Sequence, residues 1–406
     1  MGQFVINGGR TLGGEICVGG SKNAALPIIF SAILIKGKSI IKNLPDIIDV
    51  TIALKILEIL GATVERLDSG VVIDTENLSY AEIPKELTSK IRASTYLLGA
   101  MLGRFGKCKI EEYGGCNFDN RPIDMHVYAA EQVGAKIVCG EIVCQKLCGA
   151  DIVFNKISVG ATVNAILLTV GAEGRSRIYG YAKEPHVIAL IDFLKSAGAC
   201  IEVSDECITL EGRELASAEC EIIGDMIEAG TYISLSLMLG ADLKIYGADR
   251  NHLSSFIDSL IDGGAIFEFG DGFIKPRGKI LEEMNVVAAP YPAFPTDLQP
   301  ETAPLMARYM GGKITDTVWK RRFGYLNELT KFGVGYDLCE NTARINPSIL
   351  HSATASAPDL RGGVALVMCA LMAKGESIID NSAAVKRGYG NLTDKLRRLG
   401  ADIEER

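Results

Sequence analysis

Cys116 lies in the segment EYGGCNFDNRPIDMH, directly after Gly114 and Gly115 and five residues before Arg121. Paired glycines make a backbone permissive, and a cation near a thiol favours the thiolate and shifts its reactivity. A lone cysteine is otherwise best read as a small buried hydrophobe, but the glycine-rich, polar surroundings argue against burial here. Pro122 fixes the chain just before Asp124 and His126 begin a helix. In GGSKNAALP, Lys22 and Asn23 follow two glycines at the start of an apolar stretch. Free N–H groups and the positive end of a helix suit an anion, and Lys22 adds a full charge. An ordinary glycine turn with a surface lysine is equally open, and the phosphate-loop spacing Gly-x-x-x-x-Gly-Lys is absent. Asp297, in PYPAFPTDLQPE, precedes another apolar stretch. A carboxylate there is either a helix cap, which sequence alone slightly favours, or a general base facing a hydroxyl. Arg92 and Arg361 each open an almost wholly apolar helix, where a guanidinium calls for an anionic partner or an open cleft. Asp359 offers Arg361 a plain salt bridge. Arg397 falls on an amphipathic helix, where a solvated face is the bland reading.

These residues sit in a chain of 406 residues with formal net charge -8, 48% hydrophobic and 23% charged. Such a chain buries a large core in two or three domains. The negative balance argues against a nucleic-acid partner. The eleven cysteines show no disulfide-like framework, and the N-terminus MGQFVINGGR shows no signal peptide, so the expectation is reduced thiols in a cytoplasm. Cys139, Cys144 and Cys148 cluster loosely but fit no common zinc spacing, so no metal is expected. The longest apolar run, Ala24 to Ile35, is too short for a membrane span and reads as a buried helix.

The elements that must position these residues form a repeat. An amphipathic helix, a glycine and a strand recur six times, the glycines being Gly61, Gly134, Gly198, Gly264, Gly333 and Gly400. Their separations are 73, 64, 66, 69 and 67 residues. Each glycine fits a left-handed C-terminal cap. Each repeat also holds a helix that is apolar all round, such as ATVNAILLTVGAEG or GGVALVMCALMAKG, and such a helix must be buried on all sides. The pattern predicts an α/β fold with helices enclosed by sheets, an inside-out arrangement whose six units split three and three. Residues 22–227 form one domain and 1–21 plus 228–406 the other, with the active site in the cleft between them. The first strand, MGQFVING, has no partner in its own unit and is expected to pair with the C-terminal half.

Taken together, GGSKNAALP, GGC followed by RPIDMH, SVGATVN, KEP, IEAGTY, PAFPTD, DLRGG, and RGY with DKLRRLGA resemble the signatures of the enolpyruvyl transferase family over nearly the whole chain. The resemblance implies an inside-out α/β barrel in two globular domains, built from six repeated βαβαββ-like units with buried helices. It also implies transfer of the enolpyruvyl group of phosphoenolpyruvate to the 3'-hydroxyl of UDP-N-acetylglucosamine, a step of peptidoglycan synthesis, without metal or organic cofactor. Shikimate 3-phosphate as acceptor, or a UDP-sugar-binding paralogue that catalyses poorly, are the alternatives. By the same resemblance Cys116 is the general acid and the target of the epoxide fosfomycin, and Asp297 is the general base. Phosphoenolpyruvate meets Lys22, Asn23, Arg121 and Arg397. The uridine end meets Arg121, Pro122, Ile123, Asp124 and Met125, and the diphosphate Lys156, Ile157, Ser158 and Val159. Arg92, Val318 and Arg361 are further substrate positions. The chain departs from the family pattern at Tyr113, Asn117 to Asn120, Lys320, Arg321 and Gly390.

Overall fold

The computed structural model describes residues 2–110, 112–114 and 122–406. The chain divides into two compact units, unit I comprising Gly20–Ile223 and unit II comprising Met1–Gly19 with Gly224–Arg406. Each unit contains three of the apolar helices. In unit I these are α1 (Lys22–Ser31), α2 (Leu97–Phe105) and α3 (Val159–Thr169); in unit II they are α4 (Met226–Leu239), α5 (Gln299–Arg308) and α6 (Leu360–Met372). For most of them burial follows from composition, while α5 also buries Gln299, Glu301 and Thr302. In α6 every residue from Leu360 to Leu371 is buried, and in α3 every residue from Ala161 to Thr169. A helix with no polar face must surround itself with protein, and each core closes around its own three helices. Close approach has sequence requirements. A Cβ on Gly230 of α4 would stand 2.5 Å from Leu298 Cδ2, so glycine seats that turn without moving the buried Leu298 side chain.

The six repeat glycines all take positive φ, from 92° at Gly333 to 104° at Gly264. These are the left-handed caps that end the amphipathic helices without a Cβ penalty. Each is followed by a strand of one of six sheets. Five sheets share one wiring of four strands, a parallel edge pair followed by two antiparallel pairings. The sixth, of Lys107–Cys108, Glu141–Val143 and Lys136–Val138, has three antiparallel strands among the described residues.

The N-terminal strand Gln3–Gly8 lies between Gly375–Asp380 and Asp402–Glu405, antiparallel to both, and so completes the sixth repeat from the other end of the chain. The two passages between units are alike. Strand Gly13–Cys17 pairs with Asp242–Tyr246 in unit II yet leads into α1 of unit I, while Ala218–Glu221 pairs with Lys38–Lys42 in unit I yet leads into α4 of unit II. The architecture is thus α/β in two units with mixed sheets, and the described strands close no barrel. No helix among the described residues is long and apolar enough to cross a membrane.

Candidate active site

In unit II the chemistry gathers near the N-terminal ends of the three buried helices. Each sends one side chain to the hydroxyl of Tyr389. Thr231 Oγ1 of α4 lies 2.7 Å from it, Glu301 Oε1 of α5 3.1 Å, and Arg361 Nη1 of α6 donates to it at 3.1 Å. Arg361 Nη2 also donates to Asp297 Oδ2 at 3.1 Å, and Arg322 Nη1 donates to Asp297 Oδ1 at 2.7 Å. Both arginines are almost fully buried, at 3% and 5% exposure, whereas the Asp297 side chain is 28% exposed. The carboxylate is therefore the solvent-facing member of a clamp whose cations lie beneath it. Arg322 is held in turn by Thr296 Oγ1 at 3.1 Å, which donates to Asp316 Oδ2 at 2.7 Å. The other Asp316 oxygen accepts the backbone N–H groups of Val318 and Trp319, which fixes Val318 beside the same cluster.

The electrostatics follow from this burial. Loss of water pushes the Asp297 carboxyl up, but Arg322 and Arg361 outweigh it and hold Asp297 well below the usual carboxylate range. Glu301 has the opposite balance. It is fully buried, and burial outweighs the opposing pull of Arg361 and pushes it up to about 8. With Glu301 neutral at pH 7, Arg322 and Arg361 both bond the Asp297 carboxylate, with Asp359 and Asp225 acting on them as well, at helix N-termini whose dipoles favour negative charge. Such a place suits an anion.

Two bland readings from sequence are corrected here. Asp297 makes no cap hydrogen bond among the described residues, because its carboxylate is taken by the two arginines. Asp359 is the cap instead, accepting the N–H groups of Arg361 and Gly362 at 2.9 and 3.0 Å.

In unit I, Lys22 opens α1 and its Nζ lies 2.7 Å from Asp49 Oδ2, with side-chain exposures of 12% and 2%. Asp49 comes from the first turn of the helix Ile48–Ile59, so the ammonium is held by a neighbouring element. Asn23 beside it is half-buried, as is Arg92, which opens the short 3-10 turn running into α2. Two further predicted segments are brought together. Pro122 and Ile123 lead into the helix Asp124–Gln132, which begins with Asp124 and Met125, while Lys156, Ile157 and Ser158 lead into α3, which begins with Val159. Ser158 caps α3 by accepting from Ala161 N at 3.3 Å. The two helix starts are tied by Asn164 Nδ2 to His126 Nδ1 at 2.7 Å, and a Cβ on Gly160 would stand 2.8 Å from the His126 ring. Asn164 also accepts from Gly99 N and donates to Thr95 O, which draws in the start of α2. Pro122, Asp124, Lys156 and Ile157 remain exposed on this platform.

Cys116 and Arg121 lie outside the described residues, as do Asn117 to Asn120. Arg397 joins neither cluster. It is exposed on the helix Leu392–Arg398, where its Nε donates to Ile403 O at 2.6 Å and Asp394 is the nearby carboxylate at 3.9 Å. That is the placement of a solvated surface side chain, and it turns the expectation for Arg397 back to the bland reading. Sequence reasoning missed Arg322, Glu301, Thr231, Tyr389 and Asp49. Arg322 is hidden in the basic run WKRRF, whose Lys320 and Arg321 are exposed. Thr231 and Tyr389 stand in the signatures IEAGTY and RGY, so the segments were visible but the side chains were not singled out. Among the described residues no group of three or more His, Cys, Asp or Glu is placed to hold a metal. Cys139 and Cys148 are exposed free thiols and Cys144 is buried.

Comparison with known proteins places this geometry. The family model described as EPSP synthase (3-phosphoshikimate 1-carboxyvinyltransferase) matches residues 6–396. The UDP-N-acetylglucosamine 1-carboxyvinyltransferase 2 of Clostridium acetobutylicum is 39% identical, covering 99% of each chain, and the UDP-N-acetylglucosamine 1-carboxyvinyltransferase of Halothermothrix orenii is 39% identical over 100% of each. Among solved structures, the enolpyruvyl transferase NikO from Streptomyces tendae superposes with a TM-score of 0.89 at 25% identity, over 100% of this chain and 99% of that one. An EPSP synthase from Acinetobacter baumannii shares the fold at a TM-score of 0.74 and 16% identity, over 100% of both. With the family model spanning nearly the whole sequence and full-length relatives at 39% identity, the chain belongs to the enolpyruvyl transferase family.

Proposed function

We propose that this enzyme transfers the enolpyruvyl group of phosphoenolpyruvate to the 3'-hydroxyl of UDP-N-acetylglucosamine and releases phosphate, the step that commits the sugar to peptidoglycan. The observation that carries the reading is the 39% identity, end to end, to relatives named for that reaction. The geometry agrees with it, since the predicted residues gather at helix starts suited to anions in both units. The same reading supplies the finer architecture, with each unit an inside-out barrel of sheets around its helices, and a cytoplasmic location.

The roles follow from charge and reach. The Cys116 thiol protonates the methylene carbon of phosphoenolpyruvate, leaving its neighbour cationic. The sugar 3'-hydroxyl forms the new C–O bond to that carbon and gives its proton to Asp297. Breaking the C–O bond to phosphate, with return of a methyl proton to the thiolate, restores the double bond. A carboxylate as acidic as Asp297 is a weak base, but a hydroxyl attacking a cationic carbon becomes a strong acid as its bond forms, so a weak base suffices. Lys22, held by Asp49, Arg121 and Arg361 stabilise the phosphate and carboxylate charges. Arg92 and Asn23 line the same substrate. The arginine of the last repeat in this reading is Arg387 rather than Arg397, because Arg387 is half-buried and two residues from Tyr389. Pro122 to Met125 take the uridine end and Lys156 to Val159 the diphosphate, with Val318 beside the sugar.

Phosphate release tests the reading. We expect release with phosphoenolpyruvate and UDP-N-acetylglucosamine together, and none when shikimate 3-phosphate replaces the sugar. Release with shikimate 3-phosphate alone would overturn it, and tight UDP-sugar binding without turnover would mark a non-catalytic paralogue.

A further inference from the structure

Tyr389 has one proton to donate and three buried partners around its hydroxyl, so its hydrogen bonds cannot all be arbitrary. Arg361 Nη1 can only donate to it. The Thr231 hydroxyl lies 3.0 Å from Ile227 O, to which it can donate. If Glu301 carries a proton, one chain satisfies every member: Glu301 donates to Tyr389, Tyr389 to Thr231, and Thr231 to Ile227 O. If Glu301 is ionised, the chain reverses. Tyr389 must then donate to Glu301, and Thr231 must turn from the carbonyl to donate to Tyr389. The other Glu301 oxygen, Oε2, is buried with no hydrogen-bond partner among the described residues, which favours the protonated form.

We propose that Glu301 is a positioning residue of this site, which by holding or releasing a proton sets the direction of the hydrogen bonds through Tyr389 and the net charge that Arg361 and Asp297 present to an anionic substrate. The inference rests on the functional reading above. Glu301 faces Tyr389 and Arg361 directly, with Arg322, Asp297 and Tyr325 nearby in charge range and Asp225 acting beyond them on Arg361 and Tyr389. Asp359 acts on Arg322 as well, and Arg322 acts on Asp316. Ionising Glu301 adds one negative charge to this cluster, which weakens its pull on an incoming anion.

The test is the KM for phosphoenolpyruvate and kcat, measured by phosphate release between pH 6.5 and 9.5 at saturating UDP-N-acetylglucosamine. Wild type is expected to show KM rising about three- to tenfold between pH 7 and 9 along a one-proton curve. The Glu301→Gln variant, which cannot ionise, is expected to lose that rise. Thr231→Val removes the acceptor that the protonated chain needs, so its curve is expected to shift to lower pH. This shift of midpoint is something a merely structural role would not produce, and it stands even if Glu301→Gln folds poorly. A KM that stays flat in wild type, or an unchanged rise in Glu301→Gln, or an unmoved midpoint in Thr231→Val overturns the inference while leaving the functional reading intact. Absence of turnover by wild type at every pH overturns the functional reading first and the inference with it.

Discussion

Replacing Arg322 by glutamine tests whether the clamp on Asp297 is real. Arg322 is 5% exposed and its Nη1 lies 2.7 Å from Asp297 Oδ1, so the variant removes a buried, charge-assisted hydrogen bond and leaves Arg361 as the cation on that carboxylate. Hydrogen bonds to charged groups contribute about 1.5–3 kcal/mol. Breaking a fully buried ion pair costs more, about 3–5 kcal/mol. Asp297 is 28% exposed, and glutamine can still reach Thr296, so the lower end applies and we expect about 1–3 kcal/mol. In a unit of about 200 residues that is a fall of roughly 3–10 °C in melting temperature. The pH dependence has a definite sign. The folded-state pKa of Asp297 is depressed, so the stability it contributes is present above the unfolded value near 3.8 and is lost as pH falls through the folded value. Without Arg322 the folded value moves back toward 3.8, and the acid-unfolding midpoint should move to higher pH. Circular dichroism against temperature and against pH reads both effects. A melting temperature within 1 °C of wild type together with an unmoved acid midpoint would refute the clamp.

Asp49→Asn should raise the KM for phosphoenolpyruvate more than it lowers kcat, since it removes the carboxylate that holds the Lys22 ammonium while keeping the ammonium itself; an unchanged KM would show that Lys22 needs no such anchor. Arg397→Gln should leave phosphate release within about twofold of wild type, whereas Arg387→Gln should cut kcat/KM by at least tenfold, and the reverse order would restore Arg397 to the site. Gly230→Ala should destabilise unit II by about 1–3 kcal/mol in denaturant titration, because its Cβ would overlap Leu298; a neutral result would mean that α4 and Leu298 part at no cost. Glu301→Gln should stabilise the protein at pH 8–9. Its folded pKa is raised to about 8, so wild type loses stability as pH rises from about 4.5 to about 8, by at most about 5 kcal/mol. Equal melting temperatures for both proteins at pH 6 and pH 9 would contradict this.

The repeat was legible because its glycines are. Positive φ at Gly61, Gly134, Gly198, Gly264, Gly333 and Gly400 is a local demand that tertiary packing does not alter, and spacing alone exposes it. The six buried helices were legible because they lack a polar face. What spacing could not reveal was partnership across long separations. Asp49 and Lys22 are 27 residues apart, Arg361 and Asp297 are 64, and Tyr389 and Thr231 are 158. Asp297 read as a cap because a carboxylate before a helix usually is one, and the two buried guanidiniums that claim it belong to other elements. Arg322 was not singled out because its burial depends on the Thr296 and Asp316 network and leaves no mark in WKRRF itself. Arg397 shows the converse, since its exposed position on the helix Leu392–Arg398 could not be read from the family-like segment that holds it.

Enolpyruvyl transfer begun by the Cys116 thiol is read out by mass analysis of the product with phosphate determination, for wild type and for Cys116→Ser, after incubation with phosphoenolpyruvate and UDP-N-acetylglucosamine in heavy water. Wild type should give an enolpyruvyl ether of the UDP-sugar with one phosphate per product and deuterium on its methylene carbon, and the variant should lose at least a hundredfold in rate. A Cys116→Ser protein with wild-type rate and undiminished sensitivity to fosfomycin, or phosphate released without the ether, would contradict it.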